Sequence, residues 1–258
     1  MRRNARWAIM LSIIVVGVTG AVSAQVAVTY FGHSCFTIQE AEGPIIMLDP
    51  YATFVKYPGL PQPADIVLMT HAHIDHCPPC YGENDRVLGN PVIEQPWDAQ
   101  GSIIEGTREI GGLLFRFTEA THVTTSGGGA GTVALISFEV GGIRFAHLGD
   151  LGRTLTPAQV QALEDVDVVF LPVGGAFTVN AQEAVTVIGQ LESAKIVIPM
   201  HYFVADRTPW TQIAPLSSFI AAIQEAYPVS NQETYRIELE LERLPQETEV
   251  WILEYFGG

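Results

Sequence analysis

The stretch Thr70–Cys80, THAHIDHCPPC, decides how this chain is read. Four ligand-type side chains, His71, His73, Asp75 and His76, fall within six residues. Just upstream, Asp65–Thr70 (DIVLMT) is a short apolar run with the composition of a buried strand. A strand that runs into a dense His/Asp cluster presents imidazoles and a carboxylate together at the edge of a sheet. Neutral imidazole and carboxylate suit Zn²⁺, and one zinc rarely takes more than about four protein ligands. The crowding here, with more His downstream, therefore points to two metals. A metal-free surface turn would leave several exposed imidazoles unexplained.

The flanks bound the possibilities. At 258 residues the chain can bury a full core, and residues 25–258 are expected to form one domain. Residues 1–24 have the layout of a secretory signal peptide: Arg2, Arg3 and Arg6, an apolar run from Trp7 to Val22, then small residues before Gln25. An uncleaved anchor is the alternative. Ser12, Gly17, Thr19 and Gly20 dilute the run, however, and a span wants ~18 consecutive apolar residues. The expectation is an exported protein, periplasmic or extracellular, with no stable membrane span after cleavage. The formal net charge of −15 repels phosphate backbones and argues against general nucleic-acid binding. The expected partner is a small-molecule substrate; the oligomeric state is not legible.

Cys77 and Cys80 enclose Pro78-Pro79 and, in an exported chain, are placed to close a small disulfide, which leaves Cys35 odd. A redox role would require the first Cys at a helix N-terminus inside a βαβ unit. The pair instead follows the His cluster, so a loop-stiffening disulfide is expected.

Residues 26–38 read as two strands broken at Gly32-His33-Ser34, and Pro44–Pro50 as a strand ending at Asp49. Tyr51–Pro63 reads as a loop, and residues 77–100 as a Pro-rich excursion with short elements. A strand ends at His122. TVALISFEV and IRFAHLGD flank Gly141-Gly142 as a hairpin that runs to Asp150, and the Gly-rich loop Ser126–Gly131 precedes them. Helices are expected at 156–164, capped by Thr156 with Pro157 at the first position, at 181–191 and at 215–227. The strands at 166–173 and 195–199 alternate with helices, which predicts parallel packing. Glu233–Leu241 and Glu249–Phe256 read as a closing hairpin.

The H-x-H-x-D-H pattern at His71–His76 resembles the metal-binding signature of the metallo-β-lactamase superfamily. That resemblance implies an α/β fold, a four-layer αββα sandwich. It implies one metal on His71, His73 and His122, a second on Asp75, His76 and His201, and Asp150 bridging them. It also casts Asp49 as a brace for the cluster, since a metal-bound His usually donates its other N–H to a carboxylate or carbonyl. After His76 the chain departs from the family, because Cys77-Pro78-Pro79-Cys80 cannot continue the helix common there.

A finer similarity is to the branch of ascorbate-6-phosphate lactonase-like hydrolases. It rests on Gly32-His33-Ser34, His147-Leu148-Gly149-Asp150, Leu171-Pro172-Val173-Gly174-Gly175 and Pro199-Met200-His201-Tyr202. Val123 and Arg153 depart from it near the pocket, so substrate class is not carried over.

The resemblance implies a zinc-dependent hydrolase with two Zn²⁺ per chain, Mn²⁺ or Fe²⁺ being alternatives. A hydroxide shared by the metals would cleave an ester, lactone, thioester, amide or phosphodiester. Asp75, Asp150 and His33 are the candidate catalytic residues. Asp75 or the displaced water would protonate the leaving group, and His33, expected at the pocket edge, would orient a ligand or make a structural hydrogen bond. His147 is expected to be buried and satisfied. Two rivals remain: an iron-dependent, dioxygenase-like oxidoreductase on the same fold, and a non-catalytic exported metal-binding protein.

Overall fold

Side-chain alternation in the first strands divides their residues between two cores. The computed structural model describes residues 24–60, 62–123 and 131–258. In β1 (Gln25–Gly32), β2 (Cys35–Glu40), β3 (Ile46–Leu48) and β4 (Ile66–Leu68), Val28, Tyr30, Phe36, Ile38, Leu48 and Leu68 join the main core. The residues between them, Phe31, Cys35, Met47, Val67 and Met69, join a smaller one. Period-two alternation of this kind follows from the pleat, and here both faces of the sheet are covered.

The remaining strands are β5 (Val92–Glu94), β6 (Gly106–Ile110), β7 (Leu113–His122), β8 (Gly131–Val140), β9 (Ile143–His147), β10 (Val168–Pro172), β11 (Ile196–Met200), β12 (Val229–Asn231), β13 (Arg236–Glu240) and β14 (Glu249–Ile252). Among the described residues one sheet has the order β13-β1-β2-β3-β4-β5 and the other β12-β14-β11-β10-β9-β8-β7-β6. The main core lies between them and includes Phe115, Leu135, Phe145, Phe170 and Ile198 of the second sheet.

The helices α1 (Pro157–Ala162), α2 (Ala181–Gln190) and α3 (Leu216–Ile223) complete the α/β sandwich. Val187, Ile188, Phe219 and Ile223 carry α2 and α3 into the main core. Reciprocal capping boxes, Thr156 with Gln159 and Asn180 with Glu183, start α1 and α2. On the other side the first sheet is covered by the segment 51–60 and by short 3₁₀ turns at Pro78–Tyr81 and Asn84–Arg86; Tyr51, Val55 and Tyr57 of the segment, with Cys77 and Val87 flanking the turns, fill the smaller core.

β9, β10 and β11 are mutually parallel, as the strand–helix alternation predicts. Val140 and Ile143 pair across Gly141-Gly142, both glycines at positive φ, as a tight hairpin requires. The expected closing hairpin is not formed. β13 pairs with β1 in the first sheet, whereas β14 pairs in parallel with β11 in the second. The connection between them contains a 3₁₀ turn at Leu241–Arg243 and Pro245, too long for a two-residue turn, and each strand finds its own sheet edge. The expected signal segment, but for Ala24, and the Gly-rich loop, but for Gly131, lie outside the described residues. No described helix is long and apolar enough to cross a membrane.

Candidate metal centre

Strand ends assemble the site. Asp49 follows β3, the His71–His76 cluster follows β4, His122 closes β7, Asp150 sits in the turn after β9, and His201 follows β11. The β3–β4 and β9–β10–β11 pairs are parallel, so their C-terminal ends share one edge, where open α/β sheets place ligands. His33 occupies the β1–β2 turn.

Three of these residues hold left-handed backbone: His33 at φ 54°, Asp49 at 43° and His201 at 52°. Each costs ~1–3 kcal/mol and persists only where the surroundings over-determine it. They do so here: the His33 carbonyl accepts Tyr30 Oη–H at 3.0 Å and the His201 N–H at 2.9 Å. Beside them Gly174 passes so close that a Cβ there would run into the His201 carbonyl.

Two donor sets result, each with all its ligand atoms within 4.8 Å of one another. The first is His71, His73, His122 and Asp150; the second is His33, Asp75, His76 and His201. In the first, His71 Nε2 lies 3.0 Å from His73 Nδ1 and 3.7 Å from Asp150 Oδ2, and His122 Nε2 lies 3.1 Å from the same oxygen. In the second, His76 Nε2 and His201 Nε2 stand 3.5 and 3.7 Å from Asp75 Oδ2. Both also approach the other Asp150 oxygen, Oδ1, at 3.2 and 3.4 Å. Asp150 thus offers one oxygen to each set. A tetrahedral ion with bonds of about 2.0–2.1 Å has ligand–ligand edges of roughly 3.3–3.4 Å, and the separations bracket that value.

The outward nitrogens are held by a network under the site. Asp49 Oδ2 accepts from His76 Nδ1 at 2.7 Å and from Thr70 Oγ1 at 2.7 Å, and Asp49 Oδ1 accepts the Thr70 N–H at 2.7 Å. With its proton given to Asp49, Thr70 Oγ1 accepts from His71 Nδ1 at 3.0 Å. Asp49 therefore aims one histidine of each set, as the brace reading expected. His147 is buried and satisfied: its Nδ1 accepts the Gly149 N–H at 3.1 Å, so Nε2–H donates to the Ser34 carbonyl at 2.9 Å.

Burial and mutual repulsion set the protonation of the imidazoles. Burial, then His76, holds His71 well below the usual histidine range, and burial, then His122, lowers His73. Burial with His201 alongside pushes His33 down to about 4. His76 goes the other way: burial opposes its charge, but Asp150, Asp75 and Asp49 together raise it well above the usual value. Burial would raise Asp75 and Asp150. For Asp75 the charge of His76, with His201 close by and a hydrogen bond from His33, overrides it; for Asp150 the charges of His201 and His76 do. Both carboxylates stay ionised, the form in which they can hold a cation.

The donor sets also test their own chemistry. His76 Nε2, His201 Nε2 and Asp150 Oδ1 are buried without a hydrogen-bond partner although the two nitrogens stand 3.2 and 3.4 Å from that oxygen. Buried polar atoms left unpartnered are costly, and a cation held between these three would satisfy all of them, with His76 deprotonated on binding. The residues present fit divalent metal. His73 is the exposed member, on the solvent side.

The structure brings together every ligand candidate named from sequence: His71, His73, Asp75, His76, His122, Asp150 and His201. The position expected for His33 is corrected. It is fully buried rather than at an edge, because its Nε2 reaches across to Asp75 Oδ2 at 2.9 Å and its ring packs 4.2 Å from that of His201. Sequence reasoning missed Thr70 as a relay, although a hydroxyl directly before the first cluster histidine was the available signal. It also missed a group of rings beside His33, formed by Trp210, Phe54 and Phe177, which no motif announces.

Comparison with known proteins agrees with this geometry. A β-lactamase superfamily domain model matches residues 27–201. A UPF0173 metal-dependent hydrolase of Methanoregula boonei is 30% identical over 217 residues, covering 78% of this chain and 91% of that protein. The crystal structure of a Thermotoga maritima protein, described as a Zn-dependent hydrolase of the metallo-β-lactamase superfamily, is 29% identical. It superposes with a TM-score of 0.65 over 90% of this chain and 100% of that one. A metallo hydrolase of Ignicoccus hospitalis, 24% identical with a TM-score of 0.56 over 78% of this chain and 91% of that one, shares the fold. Of the three functional classes left open by the sequence, these relatives select the hydrolase. With two buried His/Asp donor sets at the shared edge of its sheets, the chain belongs to the metallo-β-lactamase superfamily and is one of its metal-dependent hydrolases.

Proposed function

We propose that the protein holds two zinc ions, one on His71, His73 and His122 and one on Asp75, His76 and His201, with Asp150 shared, and hydrolyses a small substrate. The bond cleaved is an ester, lactone, thioester, amide or phosphodiester. The observation that carries this reading is Asp150, which turns Oδ2 to the first set and Oδ1 to the second. Bound cations would supply Lewis acidity toward the substrate oxygen and lower the pKa of a water from about 15.7 toward about 7.

The chain's own residues do the rest. Asp49 keeps His76 and, through Thr70, His71 in the tautomers that turn Nε2 into the site. His33 donates to Asp75 and holds it as an acceptor, which leaves the attacking water as the source of the leaving group's proton. The Cys77–Cys80 disulfide accords with a protein that works outside the cytoplasm, in the periplasm or beyond the cell.

Metal analysis of protein loaded in defined zinc, manganese or iron medium, followed by a screen of lactones, esters, thioesters, phosphodiesters and β-lactams, tests the reading. Two zinc per chain with metal-dependent turnover is the expected result. One ion per chain in both wild type and His201→Ala would remove the second site. Iron as the sole supporting metal would favour oxidative chemistry over hydrolysis.

A further inference from the structure

A row of rings leads from the second donor set to solvent. The ring of His201 packs 4.2 Å from that of His33, and His33 stacks on Trp210 at 5.9 Å with 25° between planes. Phe54 meets Trp210 edge-on at 5.5 Å and 68°, and Phe177 does so at 6.1 Å and 71°. Trp210 is the hub, and Phe54, 49% exposed, is the outer end.

Single exposed apolar side chains are ordinary, and Phe54 is set apart by how firmly it is presented. The Thr53 N–H and Oγ1–H donate to the Glu83 carboxylate at 2.7 and 3.0 Å. On either side the Ala52 N–H donates to the Ile74 carbonyl at 3.1 Å and the Lys56 N–H to the Arg207 carbonyl at 3.0 Å. One bond ties the loop to the residue before Asp75, the other to the segment that carries Trp210. Phe177 is placed by left-handed backbone at Gly175 and Ala176, immediately after the glycine that clears His201. Three separate segments thus converge their rings beside one donor set, while the row itself carries no charged terminus.

A surface of this kind recognises a flat, uncharged group by edge and face contacts, which add to simple apolar burial. Small-molecule sites pair an apolar lining with a few polar or metal groups that fix orientation. We infer that Phe54, Trp210 and Phe177 form a subsite for an uncharged aromatic or comparably planar apolar group. The substrate's bond to be cleaved then lies at the metals and its ring on the Asp75–His201 side. This inference rests on the proposed hydrolase reading and narrows its substrate class to compounds that carry an uncharged aryl or comparably planar apolar group beside the bond to be cleaved.

The test uses the zinc-loaded full chain and two ketones that cannot be hydrolysed, 1-phenylpropan-2-one and butan-2-one. The indole N–H resonance of Trp210, identified by its loss in Trp210→Phe, is followed during titration with each. The phenyl ketone is expected to shift it saturably at a concentration about tenfold lower than butanone does. Phe54→Ala should shrink that preference to about threefold or less, and Phe54→Leu, apolar but not flat, should restore little of it. Phe177→Ala gives an independent second variant.

Equal half-saturation by the two ketones in the wild type, or a phenyl preference unchanged in both alanine variants, would overturn the inference. Failure of the hydrolase reading is distinct: no ester in the panel would turn over, yet the phenyl preference at Trp210 would persist.

Discussion

The carboxylate of Asp49 and the imidazole of His76 share a hydrogen bond of 2.7 Å with neither side chain exposed to solvent. The same Asp49 oxygen accepts from Thr70 Oγ1, so a single buried anion aims the histidines of both donor sets. Asp49→Asn replaces an acceptor with a group that must present either its oxygen or its amide to His76. Metal affinity is expected to fall about 10–100-fold, the usual cost of losing such a support. Competition against a chromophoric chelator measures it. Undiminished affinity of both ions in a folded variant would remove Asp49 from this role.

Asp150 should separate hydrolysis from mere binding. Asp150→Asn keeps the shape but withdraws a charge from both sets at once. Turnover on any confirmed substrate is expected to drop on the order of 10²–10³, with about one ion retained per chain. Steady-state kinetics beside elemental analysis decides, and wild-type turnover with two ions would rule out the shared carboxylate.

The metal-free protein should lose stability in mild acid. The folded values of His33, His71 and His73 lie below the unfolded value of about 6.5, so over this window the unfolded chain binds more protons. Stability therefore falls as pH drops from about 6.5. His33 alone, lowered to about 4, accounts for about 3 kcal/mol across that interval. His76, raised in the folded state, acts in the opposite sense: its contribution is complete below about 6.5 and is lost as pH rises through its folded value. Urea titrations of chelator-treated protein should give a clearly lower midpoint at pH 4.5 than at pH 7; equal midpoints would contradict the sign.

Cys77 and Cys80 close a loop of very few residues, and a small loop gains little from a cross-link. The turn has other support, since the Cys77 N–H donates to the His73 carbonyl at 2.8 Å and the Cys80 N–H to the Cys77 carbonyl at 3.1 Å. The double serine variant is expected to lose about 2 kcal/mol or less and to keep its metal content. Loss of an ion on reduction would show that a thiolate is a ligand.

What was legible in the sequence followed from local rules. His71–His76 packs enough donors into six residues to declare a metal site, and strand periodicity put His122, Asp150 and His201 near the ends of predicted strands. The parallel β9–β10–β11 set was equally readable from its alternation with helices. What escaped depended on contacts distant in sequence. Nothing near Gly32-His33-Ser34 says that the imidazole will reach Asp75, because that bond depends on how the β1–β2 turn docks against the β4 cluster. The rings of Phe54, Phe177 and Trp210 come from three loops, where no periodicity exists to read. The fate of the closing strands was missed because alternation predicts a strand without naming its neighbour.

That last arrangement bears on how the chain reaches its native state. Gln25 pairs with Glu240 and Thr29 with Arg236, so β1 keeps a bare edge until residues far along the chain arrive. Shortly afterwards β14 must insert between β11 and β12 of the opposite sheet. Pairings so remote in sequence make folding slow and leave sticky intermediates while they wait. The metal cluster after β4 belongs to the sheet that closes late, so a nascent chain would expose its histidines well before the carboxylate of Asp150 and the imidazole of His201 are in place beside them.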